Sequence, residues 1–199
     1  MSKSNCDHVK AMLRTMKYCV DHPERGWVLK PLRSWDGQDK NFLFQVTGKS
    51  DSNYATCNET RKSVTGFIVF LEGAVIAVKS GMQKIVALSV TEAEMIALVQ
   101  CVQEMIYTMK VLESLELKVK KPMIVDCDNK GAVDLANGWS IGGGTKHIDV
   151  RIMFLRQLKE QGTIHVQWCS TDHNESDIFT KNTPNKTFNR HIKSMCGNT

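Results

Sequence analysis

Four acidic side chains in separate parts of the chain could bind a divalent metal ion together. They are Asp51, Glu94, Asp128 and Asp177. Carboxylate oxygens are the ligands that hard cations such as Mg²⁺ prefer. Two such ions held side by side can activate water and stabilise the leaving oxygen when a phosphodiester bond is hydrolysed. That chemistry requires a fold that brings the four carboxylates to one place.

Glu94 and its neighbour Glu92 both lie in the first turn of a helix predicted over about 90–112. Acids in a first turn are favoured by the helix dipole, so either glutamate could serve only to start the helix. On a helical wheel Glu94 lies roughly 60° from the centre of the apolar stripe, whereas Glu92 lies roughly 100° away. Glu94 is therefore expected to tilt toward the sheet, where a buried carboxylate needs a cation or a donor.

Asp128 and Asp126 compete for another position in the cluster. Both lie at the end of a short apolar run, 123–127, which predicts a strand buried on both faces. Ligands in open α/β sheets collect at the carboxyl ends of strands, which favours Asp128 because it directly follows the run. The alternative for Asp128 is a helix cap, since a helix is predicted to begin near Asn129.

Asp51 and Asp177 are less well defined by their local sequence. Asp51 lies at the end of the first predicted strand, among serine and asparagine residues, and a turn aspartate is the alternative. Asp177 follows Asn174 by three residues, which is the pattern of a helix cap with a favourable acid in the first turn. Spacing alone does not decide between these alternatives and a metal site.

The elements that must position these acids alternate between strands and helices. Strands are predicted from 42 toward Asp51 and at 64–71, 74–79, 123–127 and 164–169, and helices at 8–20, 90–112, 129–137, 146–160 and 184–196. The second and third strands join across Glu72-Gly73 as a hairpin, and Gly142–Thr145 predicts a connecting loop. A meander followed by helix-linked strands predicts an α/β fold with a mixed sheet and helices on its faces.

Composition and charge narrow the classes of function. The 199 residues carry a net charge of +5, which is compatible with a polyanionic partner. The seven cysteines are odd in number and include no C-x-x-C pair, which argues against a zinc site or a disulfide framework. No apolar run approaches the length of a membrane span and no signal-peptide core is present, so we expect a cytoplasmic protein without membrane contact.

Six short stretches of the chain, taken in order, carry a family pattern. They are Ser50–Ala55, Thr60–Gly66, Ala87–Glu94, Asp126–Asn129, Thr145–Arg151 and Ser176–Lys181. Together they resemble the ribonuclease H domain of copia-type LTR-retrotransposon reverse transcriptases, over about 41–195. The segment 8–33 resembles the part that precedes this domain in such polyproteins. No polymerase motif, an Asp-Asp pair with an aromatic lead-in, is present.

The resemblance implies a ribonuclease H-like fold for 41–199. The fold would have a five-stranded mixed sheet, an antiparallel meander plus two parallel strands, with helices on both faces. Residues 1–40 would form an N-terminal helix and linker from the end of the reverse transcriptase connection region. The implied protein is part of a larger Pol polyprotein, acting in the cytoplasm or in virus-like particles.

The implied activity is endonucleolytic cleavage of the RNA strand of RNA–DNA hybrids during reverse transcription. The cofactors would be two Mg²⁺ ions, with Mn²⁺ as a substitute, and no small-molecule cofactor. Asp51 would bridge both ions, Asp177 would help to hold the ion that activates water, and Glu94 and Asp128 would hold the ion at the leaving oxygen. The alternative is a nucleic-acid-binding fragment with weak activity or none.

Residues near the acids and along the matching stretches are candidates for contacts with the hybrid. Ser52, Asn53 and Asn129 could bond to 2′-hydroxyl groups. Candidates for phosphate contacts are Arg61, Lys62, Lys79, Lys84, Lys146, His147, Arg151 and Lys181. For each lysine the alternative is a solvated surface charge, and for His147 and Arg151 it is a salt bridge within the fold. His173 is a candidate for proton handling or product release, with an exposed loop histidine as the alternative.

Overall fold

The structure, a computed structural model, describes residues 6–138 and 146–196, with the side chains of 146–149 left out. Its strands are β1 (Leu43–Phe44), β2 (Val46–Asn53), β3 (Val64–Leu71), β4 (Ala74–Met82), β5 (Lys118–Val119), β6 (Met123–Cys127) and β7 (Ile164–Trp168). Its helices are α1 (Cys6–Asp21), α2 (Val90–Ser114), α3 (Lys130–Asn137), α4 (Lys146–Glu160) and α5 (Asn185–Cys196). Two 3₁₀ turns, Thr171–His173 and Glu175–Phe179, lead from β7 to α5. The predicted loop at Gly142–Thr145 lies outside the described residues.

The main sheet has five strands in the order β4-β3-β2-β6-β7. The pairs β2–β3 and β3–β4 are antiparallel, whereas β2–β6 and β6–β7 are parallel. The predicted mixed sheet, a meander plus two parallel strands, is therefore confirmed. A short parallel ladder between β1 and β5 was not predicted, because two residues in each strand are too few to show a period.

Alternate residues of β3 face opposite sides of the sheet. Phe67 and Val69 pack in the main core with α2, α3 and α4. Ile68 and Phe70 pack on the other side with Met195 of α5. Helices thus cover both faces, as the resemblance implied.

The helix α2 crosses β2 at Gly48, where the side chains of Met105 and Cys101 pack directly over the glycine. A Cβ atom at Gly48 would lie 2.6 Å from the Met105 sulfur and 2.7 Å from the Cys101 sulfur. Glu94 lies two helical turns before Cys101, at the same end of the fold as Asp51. Glycine at position 48 therefore sets how closely the start of α2 approaches the end of β2.

By length and hydropathy alone, α2 could cross a membrane. The sequence expectation that no apolar run approaches that length was therefore too strict. In the fold, 56% of its most apolar window is buried inside the protein, where Met95, Leu98 and Val102 are wholly covered. Packing against the sheet accounts for the apolar composition of this helix.

The first predicted strand differs from the structure in its bounds. The prediction carried one strand from 42 toward Asp51 as its end, whereas the structure has β1 at Leu43–Phe44 and a separate β2 that continues through Asn53 and pairs Asp51 with Gly66 of β3. Serine and asparagine around Asp51 favour turns in isolation, but pairing with β3 extends the strand through Asn53. Asp51 is therefore held within a sheet ladder rather than in a turn.

Part of the predicted linker packs against the domain that follows it. The Arg33 guanidinium pairs with the buried Glu72 carboxylate, with Nε 2.8 Å from Oε2. The Leu32 amide donates to the Glu72 carbonyl at 2.7 Å, and the Trp35 ring lies 5.3 Å from that of Phe44. In contrast, α1 has no buried residue. The division at residue 40 remains a prediction.

Candidate metal centre

Four different elements bring the predicted acids to one end of the sheet. Asp51 lies on β2, Asp128 directly follows β6, Glu94 lies near the start of α2, just after its first turn, and Asp177 lies in the second 3₁₀ turn. The parallel pairing aligns Ser50 of β2 with the last residue of β6, so that Asp51 and Asp128 come next on neighbouring strands. The register of the sheet thus places two of the four acids side by side.

The four carboxylates form two overlapping groups of potential metal ligands. Ligand atoms of Asp51, Asp128 and Asp177 all lie within 4.8 Å of one another. Glu94, Cys127 and Asp128 form a second group with the same limit on spacing. The resemblance gave the bridging position to Asp51, but the residue common to both groups is Asp128.

Burial raises the free-energy cost of holding these negative charges close together. Asp51 is 2% exposed, and Glu94 and Asp177 are each 3% exposed. Burial, with smaller contributions from the carboxylates of Asp177 and Asp128, raises the pKa of Asp51 to about 7. Burial and the nearby Asp51 carboxylate raise the pKa of Glu94 to about 8. Buried carboxylates in this situation are stabilised by a bound cation, so the residues present fit a divalent metal ion.

Glu94 is oriented by Ser52 of the adjacent strand. The Ser52 amide and hydroxyl donate to Glu94 Oε1 at 3.1 Å and 2.8 Å. Glu92 has a different role, since its carboxylate accepts from the Leu88 amide at 2.7 Å and its own amide donates to the Ser89 hydroxyl at 3.1 Å. This reciprocal capping starts α2. Glu94 faces the sheet as the helical wheel predicted, but Glu92, at 2% exposed, is buried as well. The proposed contact of Ser52 with RNA remains a prediction.

Asp128 is held by groups from β7 and the turn that follows it. The Thr171 hydroxyl donates to Asp128 Oδ2 at 2.8 Å, and the Trp168 indole donates to the Asp128 carbonyl at 3.0 Å. The cap of α3 is Asn129, whose side chain accepts from the Ala132 amide at 2.9 Å. The alternative of Asp128 as the helix cap is therefore wrong.

Asp126, the rival of Asp128, belongs to neither ligand group. Its carboxylate accepts from the Gln167 side chain at 2.8 Å, and the Lys49 ammonium lies 3.8 Å away. The same ammonium lies 2.5 Å from Glu175 and donates to the His173 carbonyl at 2.6 Å. Lys49 thus ties the turn before Asp177 to the sheet.

The turn that carries Asp177 is fastened by Asn174, which is wholly buried. Its side-chain amide donates to the Ser50 carbonyl at 3.0 Å, and its oxygen accepts from the Ser176 amide at 3.4 Å. The cap predicted from the spacing is confirmed. It does not compete with a ligand role for Asp177, because the cap is what places that carboxylate beside β2.

Thr180 and Lys181 are neighbours of the acids at the end of the same stretch. The Thr180 hydroxyl donates a short hydrogen bond to Asp51 Oδ2. The Lys181 ammonium lies 2.9 Å from Asp177 Oδ1, whereas the sequence suggested a phosphate contact. Sequence reasoning missed Thr180 and Thr171, since both contacts join residues far apart in the chain.

The other candidates for nucleic-acid contacts lie around the cluster or apart from it. Asn53 donates to the Thr180 carbonyl at 3.4 Å, and the Lys79 ammonium donates to Gln100 at 2.7 Å. Arg61 is exposed, and Arg151 is half-buried on α4. Side chains of Lys146 and His147 lie outside the described residues.

His173 is exposed in the first 3₁₀ turn, two residues after Thr171. Its Nδ1 lies 2.8 Å from the Ser170 hydroxyl. Because Thr171 contacts Asp128, the histidine lies on the segment that borders the carboxylates. A role in proton handling or product release remains a prediction.

Curated relatives of the chain are retrotransposon polyproteins. It is 36% identical over 165 residues to the retrovirus-related Pol polyprotein from transposon TNT 1-94 of Nicotiana tabacum, which covers 81% of this chain. It is 29% identical over 175 residues to the Pol polyprotein from transposon RE1 of Arabidopsis thaliana, which covers 88%. The matches span 12% and 11% of those polyproteins. No protein-family model matches.

Solved structures with a similar fold are ribonuclease H domains. The N-terminal ribonuclease H domain of a Mycobacterium tuberculosis protein gives a TM-score of 0.53 at 14% identity, over 75% of this chain and 97% of that chain. LC11 ribonuclease H1, solved with an RNA/DNA hybrid, gives 0.52 at 13% identity, over 68% and 94%. These likenesses confirm the fold. The chain therefore belongs with the Pol polyproteins of copia-type retrotransposons, in which it corresponds to a domain of the ribonuclease H fold.

Proposed function

We propose that this domain is a metal-dependent endonuclease that hydrolyses the RNA strand of RNA–DNA hybrids during retrotransposon reverse transcription. The observation that carries the proposal is the convergence of four carboxylates from four elements at one end of the sheet. Support comes from the Pol polyprotein relatives and from the fold shared with a ribonuclease H1 that was solved with a hybrid. The site of action would be the cytoplasm or virus-like particles.

The metal would be held in two positions that share one ligand. Asp51, Asp128 and Asp177 would hold one Mg²⁺ ion, and Glu94 with Asp128 would hold the other, with Mn²⁺ as a substitute. Bound ions of this kind lower the pKa of an attacking water and stabilise the leaving oxygen. All the oxygen donors in both groups are carboxylates, which suits a hard cation.

The remaining residues of the site orient these carboxylates and limit their repulsion. Ser52 fixes one oxygen of Glu94, so the other oxygen faces Cys127 and the second ligand group. Thr180 fixes Asp51, and the Lys181 ammonium offsets charge beside Asp177. Preorganised ligands of this type need little rearrangement when the substrate binds.

Recognition of the hybrid would combine phosphate contacts with contacts to 2′-hydroxyl groups. Asn53 is partly exposed at the end of β2, two residues from Asp51, and is the best placed of the predicted polar contacts. Asn129 serves as a helix cap, so any contact it makes with RNA would use its remaining donors. The net charge of +5 favours a polyanion in general.

The test is cleavage of labelled substrates by the purified chain in Mg²⁺. We expect an RNA–DNA hybrid to be cut in its RNA strand, and double-stranded RNA and DNA of the same sequence to remain intact. Asp128→Asn should abolish cleavage, because it removes the ligand common to both groups. Asp126→Asn is the matched control, with the same change two residues away and outside both groups.

Cleavage that persists in Asp128→Asn would refute the site. Hybrid binding without cleavage by the unaltered chain would favour the alternative, a retrotransposon-derived binding fragment. The presence of all four carboxylates in one cluster favours the enzyme, since a fragment that only bound nucleic acid would gain nothing from concentrated negative charge.

A further inference from the structure

A buried thiol lies beside the carboxylate cluster. Cys127, the last residue of β6, is fully buried. Its sulfur lies 4.0 Å from Glu94 Oε2 and belongs with Glu94 and Asp128 to one group of potential ligands. The proposed hydrolysis does not use this thiol, because Mg²⁺ binds oxygen donors.

One carboxylate oxygen of Glu94, Oε2, faces this thiol and has little other hydrogen bonding. Its Oε1 accepts both hydrogen bonds from Ser52. Among residues 6–138 and 146–196, the only hydrogen-bond partner of Oε2 is the Cys127 sulfur, at 4.0 Å. Since Glu94 is 3% exposed, this oxygen is a buried acceptor aimed into the ligand group.

A thiol with two carboxylates is a donor set that suits a different class of metal. Zn²⁺ and Cd²⁺ accept sulfur and oxygen together, whereas Mg²⁺ does not. In a tetrahedral Zn²⁺ site the metal lies about 2.3 Å from sulfur and about 2.0–2.2 Å from oxygen, so neighbouring donors are about 3.5 Å apart. The observed separation of 4.0 Å is within reach of that value by a small side-chain rotation.

We propose that Glu94, Cys127 and Asp128 form a site for a thiophilic divalent cation, which inhibits the nuclease by taking two of its carboxylates. Binding forms a metal–sulfur bond and releases the thiol proton to solvent, and no oxidant is needed. The cysteine spacing gave no reason to expect zinc, because the donors come from α2 and from the end of β6 rather than from a paired-cysteine motif. The inhibition rests on the proposed function, but the binding does not.

The binding test is a Cd²⁺ titration that follows the ultraviolet charge-transfer absorption of a cadmium–thiolate bond. The full chain is used with Cys6→Ser and Cys19→Ser, which remove two exposed thiols on α1. Cys101→Ser is the matched control, because Cys101 is equally buried but its sulfur contacts the Lys49 carbonyl at 3.7 Å and lies in neither ligand group. We expect Cys127→Ser to weaken Cd²⁺ binding about tenfold or more, and Cys101→Ser to leave it unchanged.

Calorimetry with Mg²⁺ separates a ligand role from a structural one. Cys127→Ser should leave Mg²⁺ affinity unchanged, whereas Glu94→Gln should weaken the binding of both ions. Equal loss of Mg²⁺ and Cd²⁺ binding in Cys127→Ser would show that the thiol only supports the fold and would overturn the proposal. An unchanged Cd²⁺ titration in that variant would overturn it as well. Cys127→Ala provides the same comparison if the serine variant unfolds.

The outcomes for this site and for the nuclease are distinguishable. A chain that binds Cd²⁺ through Cys127 but never cuts a hybrid has the thiophilic site without the proposed activity. A chain that cuts hybrids and shows no Cys127-dependent absorption has the activity without the site. With both present, Zn²⁺ should inhibit cleavage in the parent chain and inhibit Cys127→Ser about tenfold more weakly.

Discussion

The side-chain amide of Asn174 donates a hydrogen bond to the backbone carbonyl of Ser50 at 3.0 Å, which joins residues 124 positions apart. Ser50 precedes Asp51, and Asn174 caps the turn that carries Asp177. The Asn174 side chain therefore links β2, which carries the proposed ligand Asp51, to the turn that carries the proposed ligand Asp177.

Asn174→Ala is expected to loosen the turn that carries Asp177. Loss of the buried hydrogen bonds should lower the free energy of unfolding by about 1–3 kcal/mol, since the Ser50 carbonyl is left without its donor. Urea unfolding measures this loss, and the cleavage assay should show reduced activity under conditions in which the variant is folded. Asn182→Ala, at an exposed position nearby, should change neither quantity.

Ser52→Ala and Ser50→Ala provide a matched pair on one strand. The Ser52 hydroxyl donates to Glu94 at 2.8 Å, whereas the buried Ser50 hydroxyl has no hydrogen-bond partner among the described residues. Ser52→Ala should reduce cleavage about tenfold or more, because a hydrogen bond to a charged group contributes about 1.5–3 kcal/mol. Ser50→Ala should leave cleavage nearly unchanged. Equal effects of the two changes would contradict the orienting role of Ser52.

Without metal, the protein is expected to lose stability as pH rises from about 4 to about 8, and the loss should level off above that pH. Burial is the main cause that raises the pKa of Asp51 from 3.8 to about 7 and that of Glu94 from 4.5 to about 8. A carboxyl with a raised folded-state pKa stabilises the fold fully below its unfolded pKa, and this contribution is lost as pH rises through the folded value. Thermal unfolding in a chelator, measured from about pH 4 to about pH 9, should show this decline.

Two glutamate variants identify the group responsible for that decline. Glu94→Gln should flatten the dependence of the melting temperature on pH, because the amide does not ionise. Glu92→Gln is the matched control and should change the melting temperature little, because the glutamine oxygen can still accept from the Leu88 amide. A slope that is the same in Glu94→Gln and in the parent chain would show that Glu94 does not titrate in this range.

Lys181→Met is expected to destabilise the metal-free protein more than Lys186→Met, although both remove one positive charge. The Lys181 ammonium lies 2.9 Å from Asp177 Oδ1, whereas Lys186 is exposed at the start of α5. Because Lys181 is itself 39% exposed, the difference should be about 1 kcal/mol or less. Chemical denaturation measures it, and Lys181→Arg should restore most of the loss. Equal losses in the two methionine variants would argue against this ion pair.

The sequence predicted those features of the fold that follow from the pattern of apolar residues within one helix or strand. The apolar stripe of α2 separated Glu94 from Glu92, and the short apolar run ending at Cys127 placed Asp128 at a strand end. Both choices agree with the structure, in which Glu92 caps its own helix and Asp126 pairs with Gln167. Periodicity carries this information because it reports the direction in which a side chain points. It did not predict that Glu92 is as buried as Glu94.

Contacts between distant segments could not be predicted in the same way. The sequence did not predict that Ser52 bonds to Glu94 or that Asn129 caps the start of α3, and their contacts with RNA remain predictions. Thr180 and Thr171 reach Asp51 and Asp128 across 129 and 43 positions. A serine or threonine hydroxyl has many possible partners, and only the folded backbone selects among them.

The arrangement of the acid cluster depends on Gly48, a residue outside the cluster. A Cβ atom at Gly48 would lie 2.6 Å from the Met105 sulfur and 2.7 Å from the Cys101 sulfur, so one added methyl group would force these side chains of α2 to move. Because Glu94 lies two turns along the same helix, we expect any shift of α2 at this crossing to move the Glu94 carboxylate relative to Asp51 and Asp128. The distance between Glu94 and the other proposed ligands therefore depends on position 48 having no side chain.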